Sequence, residues 1–386
     1  MKNIIKIAML LLLAGSMLLA AQLMIEASNT LKTAKNNAVL AADWKALCAK
    51  NDKLTPQNAR VLDAGGNVLN SQVIDNDGDG AVDELLFMAN IAGNAKARFD
   101  VRADGSLDMP AMEGRAYARF VPERKDDYAW ENDVTAFRTY GPGLKKSHEN
   151  CGIDCWMKRV KYPIIDKWYK AGVLGVYHID KGEGHDAYHV GDGLGCGGTA
   201  VWHNEKLFKS NVFTSWKSFS EGPLRAAFEL TYGPWKVNGR QITEKKRVSI
   251  DYGKRLFRVD DSFFIDGKPG RLEVVLGLTN HDGKATVYEH RKKGYIYCWE
   301  KIGKYDMGTA IMTSPEDIKE YKLIQTGKKD SGHAAFIMDT GDDGKFTYYA
   351  GYGWEKAKEI TTREQWENYL IQFIEDISNP VETKIR

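Results

Sequence analysis

The sequence lacks the marks of several protein classes. Its five cysteines include no Cys-x-x-Cys pair, which excludes a zinc ribbon and a thioredoxin-like site. The odd count leaves at least one cysteine unpaired or bridged between chains, while Cys151 and Cys155 can link or stay reduced. Surplus charge is also missing: 54 Lys+Arg stand against 52 Asp+Glu, and no basic stripe follows a face, so no nucleic-acid partner is expected. Prolines number only ten, and there are no linkers, repeats or low-complexity tracts, which favours one continuous domain. No Gly-x-Ser-x-Gly elbow and no Walker loop occurs, which argues against serine hydrolases and P-loop phosphotransferases.

Long apolar runs are confined to the N-terminus. Lys2 and Lys6 precede an apolar stretch from Ile7 to Ala21, and the chain turns polar at Gln22. A basic n-region, a short h-region and small residues at Ala20 and Ala21 predict a signal peptide over residues 1–21. The expected location is periplasmic or secreted, with no membrane span once the signal is removed.

What the sequence does contain is strands. Ala226, Phe228, Leu230 and Tyr232 alternate with polar or small residues; so do Phe257, Val259, Phe263 and Ile265, and again Leu272, Val274, Leu276 and Leu278. Alternation with one apolar face predicts antiparallel sheets packed face to face, an all-β fold built as a large antiparallel β-sandwich. Gly341–Gly344 between two apolar runs reads as a hairpin turn. Two helices are expected. One is C-terminal, with Trp366, Tyr369, Leu370, Phe373, Ile374 and Ile377 on one face, Thr361 or Thr362 as N-cap and Asn379-Pro380 as stop. The other covers about Asp154–Lys170, kinked at Pro163. Residues 22–386 then form a single sandwich domain with an N-terminal β subregion at about 45–124.

Four segments carry chemistry. Asp75, Asp77, Asp79 and Asp83 alternate around Gly78 and Gly80; oxygen ligands so spaced converge on a hard cation, and calcium with a structural role is expected there. In Trp130–Pro142, Arg138 is a candidate clamp for a substrate carboxylate, Trp130 a candidate sugar platform and Asp133 a candidate polar contact. In Cys151–Val160, Lys158 and Arg159 are candidates for reading an anion. The glycine-rich Tyr177–Gly198 segment holds His178, His185, Asp186, Tyr188 and His189. Its glycines argue against a helical zinc site, and Gly193-x-Gly195-x-x-Gly198 has no βαβ context, so acid–base chemistry is the reading and no organic cofactor is expected.

Trp130–Pro142, Gly152–Val160, Tyr177–His178 with Gly182–Gly184, Val190–Asp192, Gly195–Gly198 and the Asp75–Phe87 loop together resemble the domain-of-unknown-function family 4861. That family occurs among secreted polysaccharide-degrading proteins, beside uronic-acid lyases and unsaturated-uronyl hydrolases, and one relative dehydrates ulvan oligosaccharides. The resemblance implies a galactose-mutarotase-like supersandwich and an oligosaccharide substrate carrying uronic acid. Dehydration of a terminal uronic acid is the expected reaction. His178 and Tyr188 serve as base and acid, Asp186 orients one of them, and Arg138, Lys158 or Arg159 neutralises the carboxylate. A polysaccharide lyase, a glycoside hydrolase using two of Glu131, Asp133, Glu183 and Asp186, and a non-catalytic sugar-binding protein are the rival readings.

Overall fold

Strands Arg225–Val237, Arg240–Asp251 and Leu256–Ile265 pair antiparallel in register, so Phe228, Val248 and Val259 share one face. They belong to a computed structural model that describes residues 23–172, 176–325 and 331–386; the predicted signal peptide lies outside these residues. Lys345–Trp354, Tyr305–Thr313, Tyr295–Ile302 and Thr286–His290 continue the sheet on one side, and Phe213–Glu221 forms its opposite edge. This large sheet is one layer of the sandwich.

The second layer is two five-stranded sheets side by side. One is ordered Lys206–Phe208, Cys196–His203, Glu273–Thr279, His333–Asp339 and Ile318–Ile324; the other runs Gly184–Asp186, Ile153–Lys158, Ala136–Thr139, Asp127–Glu131 and Tyr117–Val121. Ile153 and Gly195 bridge them. Gly195 has φ +63°, and a Cβ there would stand 2.1 Å from the carbonyl oxygen of Ile153. Its glycine identity therefore permits the seam between the sheets. Phe137, Cys155, Phe228, Phe257, Leu276 and Phe336 meet in the shared core. The architecture is the expected supersandwich.

A separate core fills the N-terminal sheets, where Ile25, Val61, Leu85, Phe87 and Phe99 pack together. These sheets start at Met24–Asn29 and end with Ala95–Ala103, and the last strand of the chain, Glu382–Ile385, pairs with Met24–Asn29. The unit thus begins before residue 45, and Tyr117–Val121 belongs to the main sandwich, where Ala118 faces the shared core.

The C-terminal helix, Arg363–Ser378, has the expected boundaries: Thr362 caps it in a capping box with Gln365, and Asn379 closes it. Trp366, Leu370 and Phe373 bury against Tyr295, Tyr297 and Met312 of the large sheet. Two other expectations are corrected. Ile153–Lys158 is a strand, because Asp154, Trp156 and Lys158 take one face and Ile153, Cys155 and Met157 the other; the helix is only Ile165–Gly172, beginning after Pro163. Gly341–Gly344 is no hairpin: His333–Asp339 pairs with Glu273–Thr279 and Lys345–Trp354 with Leu256–Ile265, so the turn carries the chain between layers. His333–Asp339 is buried on both faces, Lys345–Trp354 becomes so only from Ala350 onward, and each finds its partners in its own layer.

Candidate active site

The sheet from Tyr117 to Asp186 has an unusual outer face. Its alternation sends Trp130, Phe137, Cys155 and Met157 into the sandwich core. The other parity carries Asp127, Glu131, Arg138, Asp154, Trp156, Lys158 and Asp186, all buried. Helix Ile165–Gly172 and Tyr177 cover this face, with Trp156, Trp168, Tyr169 and Tyr177 in contact.

Arg138 organises one end. It faces Asp154 across the strand pair and reaches its Oδ2 through Nη2 at 2.6 Å and Nε at 3.0 Å. The same Nη2 lies 3.1 Å from Asp186 Oδ2, and Nη1 lies 3.8 Å from Asp127 Oδ2. Trp156 and Tyr140 flank the guanidinium at 5.3 Å each. Three buried carboxylates share one guanidinium, so burial raises all three above the ordinary carboxylate range, and Arg138 pulls against it. Asp127 reaches about 6; in the coupled pair, the charge of Asp186 lifts Asp154 further. Asp154 Oδ1 is buried without a partner.

His178 stands at the open edge of this cluster, its side chain 54% exposed. Nδ1 lies 3.1 Å from the backbone oxygen of Asp186 and 3.5 Å from its carboxylate. Both are acceptors, so in the neutral ring Nδ1 carries the proton and donates it, and Nε2 is the nitrogen that faces a substrate as base. The ring lies 4.3 Å from that of Tyr177. The Tyr177 hydroxyl accepts from Arg124 Nη2 at 3.1 Å and from Arg138 Nη1 at 3.4 Å. Glu149 and His189 pair nearby at 3.4 Å.

The far end of the face is closed. Lys158 Nζ lies 2.6 Å from Glu131 Oε2 and 2.6 Å from the backbone oxygen of Asn132. Glu131 also accepts the N–H groups of Ile164 and Ile165 at the start of the helix.

A family model described as a domain of unknown function (DUF4861) matches residues 27–383. The chain belongs to this family. An uncharacterized protein of Formosa agariphila is 35% identical over 405 residues, covering 100% of both chains. Among solved structures, a protein in the glycosyl hydrolase family 38 from Enterococcus faecalis matches 95% of this chain with TM-score 0.51 at 11% identity. An α-mannosidase from Enterococcus faecalis matches 94% with TM-score 0.48 at 9% identity. The DUF4861 chain spans about half the length of each, 47% and 46%, and the first is a likeness of fold.

The predicted site residues divide sharply in the DUF4861 structure. Arg138, Asp186 and His178 come together. Arg159 lies apart, 3.4 Å from Asp180, which also holds Lys356. Five expectations are corrected. Trp130 is 1% exposed and packs on Phe137, Phe228 and Phe257, so no sugar reaches it. Lys158 is spent on Glu131. Asp133 is buried and accepts Gly253 N at 2.6 Å. Tyr188 points into the sandwich core, its hydroxyl unpartnered and its ring edge-on to His281 at 5.1 Å, so it is no partner for His178. Arg138 itself is turned inward, satisfied by carboxylates rather than open to one. Sequence reasoning missed Asp127, Tyr177 and Arg124; strand parity across Asp127, Arg138 and Asp154 was the available signal for the first.

The acidic loop gathers three of its four candidates. Ligand oxygens of Asp75, Asp77 and Asp83 lie within 4.8 Å of one another. Asp79 instead accepts Ala81 N at 2.7 Å. Asp75 also takes Gly78 N at 2.5 Å and Gly80 N at 2.8 Å. A set of carboxylate oxygens alone fits a hard cation. All five cysteines are free. Among the described residues, no helix is long and apolar enough to cross a membrane.

Proposed function

We propose that this protein is an exported carbohydrate-active enzyme that removes water from a terminal uronic acid of an oligosaccharide, leaving a 4,5-unsaturated residue. The observation that carries the reading is His178: exposed, fixed through Nδ1 by Asp186, and seated beside a tyrosine that two arginines hold. The fold is shared with a glycosyl hydrolase family 38 protein, which makes saccharides the first substrate class to test.

In this mechanism His178 Nε2 takes the C5 proton, and its electrons form the C4–C5 double bond. The C4–O bond breaks, and the oxygen leaves as water, taking from His178 Nε2 the proton that the imidazole removed from C5. Arg124, half-buried and held by the Tyr177 hydroxyl, neutralises the substrate carboxylate, which makes C5 acidic. Base and acid each supply on the order of 10²–10⁴-fold. The buried carboxylates around Arg138 position His178 through Asp186. Calcium on Asp75, Asp77 and Asp83 has a structural role in this reading, and the N-terminal signal directs the chain to the periplasm or beyond.

Mass spectrometry of an oligosaccharide ending in a saturated uronic acid tests the reaction. Loss of one water with chain length intact, absent in His178→Ala, supports it. Shorter unsaturated fragments mean a lyase, and an unchanged spectrum across several uronic acids removes the enzymatic reading.

A further inference from the structure

A cleft of about 700 Å³ separates the N-terminal sheets from the outer face of the large sheet, with the C-terminal helix at one end. That volume is in the range of small-molecule sites, roughly 300–1,000 Å³. It lies on the opposite side of the large sheet from the shared core, and so away from His178. Register lays out its floor in rows. Ser249 faces Arg258, which faces Tyr349, and Arg247 faces Asp260 in the next row.

The charges on this floor do not cancel. Arg225 makes two bonds to Asp251, at 2.5 and 2.9 Å. Arg258 is bonded to Asp260 at 2.7 Å. Arg247 has no hydrogen bond or ion pair for its guanidinium among the described residues, although it faces Asp260 in register. Instead the guanidinium lies 4.9 Å over the ring of Phe219. A stacked guanidinium keeps its N–H edge open and its orientation fixed, which is the geometry that captures a planar or branched oxyanion. Beside it, Ser249 offers a hydroxyl, and Tyr349 a half-buried ring braced edge-on by Phe373 at 5.3 Å.

We infer that this cleft is a second saccharide-binding site, for a sugar bearing carboxylate or sulfate, with Arg247 as the anion contact. The inference stands apart from the elimination at His178 and adds a place where an anionic chain is held while its end reacts elsewhere.

Isothermal titration with trigalacturonate, a sulfated carrageenan tetrasaccharide and neutral maltotriose tests it, on wild type, Arg247→Gln and His178→Ala. At least one anionic probe binds, and maltotriose at least tenfold more weakly. Arg247→Gln weakens the anionic probe about tenfold or more, the size of one charge-assisted hydrogen bond. His178→Ala retains that Arg247-dependent binding. Whether the carboxylated or the sulfated probe responds identifies the anion. Absence of binding by both anionic probes, equal binding of maltotriose, or an Arg247→Gln titration superposing on wild type overturns the site. None of these results bears on dehydration, which is read by mass spectrometry.

Discussion

The ammonium of Lys158 lies 2.6 Å from the carboxylate of Glu131, and neither side chain has exposed surface. A charge pair taken wholly out of water is held together by its mutual dependence, because either partner alone is a buried ion. Lys158→Met therefore destabilises the protein by about 3–5 kcal/mol in urea unfolding. The double variant Lys158→Met, Glu131→Gln recovers part of that. A single-variant loss below about 1 kcal/mol would show that the pair is dispensable.

Asp127 makes stability fall with rising pH. Burial raises its folded-state pKa from 3.8 to about 6, against the pull of Arg138. The native state thus holds the proton more tightly than the unfolded chain, so stability declines between about pH 4 and 6 and is flat above. At roughly 1.36 kcal/mol per pKa unit, this reaches about 3 kcal/mol. Urea midpoints at pH 4.5 and 7 for wild type and Asp127→Asn measure it: the difference between the two proteins moves against wild type as pH rises.

Trp130 acts on stability and not on sugar. Trp130→Ala opens a cavity among Phe137, Phe228 and Phe257 and costs about 3–5 kcal/mol. The folded fraction keeps wild-type affinity for oligosaccharides in titration; a selective loss of sugar binding at unchanged stability would restore the platform reading.

Gly308 seats the C-terminal helix. A Cβ at this position would stand 2.4 Å from Cδ1 of Trp366, and Gly308 pairs with Gly353, where a Cβ would lie 2.9 Å from the same indole. Gly308→Val lifts Trp366 off the sheet, at a cost of about 1–3 kcal/mol or more. Quenching of buried tryptophan fluorescence by iodide rises in the variant, and an unchanged quenching profile contradicts the packing argument.

The calcium proposed for Asp75, Asp77 and Asp83 would link stability to free metal. At a hundredfold excess over Kd the gain is about 2.7 kcal/mol. Chelation lowers Tm, calcium restores it, and Asp83→Asn abolishes the response. Identical Tm with chelator and with calcium removes the metal from this loop.

Local patterning in the sequence specified the sandwich strands, the C-terminal helix and its Thr362 cap, since alternation and capping act between near neighbours in the chain. His178, Arg138 and Asp186 were legible as chemically apt residues in one dense region. Which layer each strand joined was not legible: Gly341–Gly344 looks like a hairpin turn whether its strands pair with each other or with strands far away in sequence. The same holds for Trp130, Lys158 and Tyr188. Their chemistry suits a sugar site, and only packing against distant strands buried them. A side chain's reactivity is a property of its residue type. Its access to water and its partners are set by contacts across the sandwich, and those made His178 the exposed member of the cluster and Tyr177, rather than Tyr188, its neighbour.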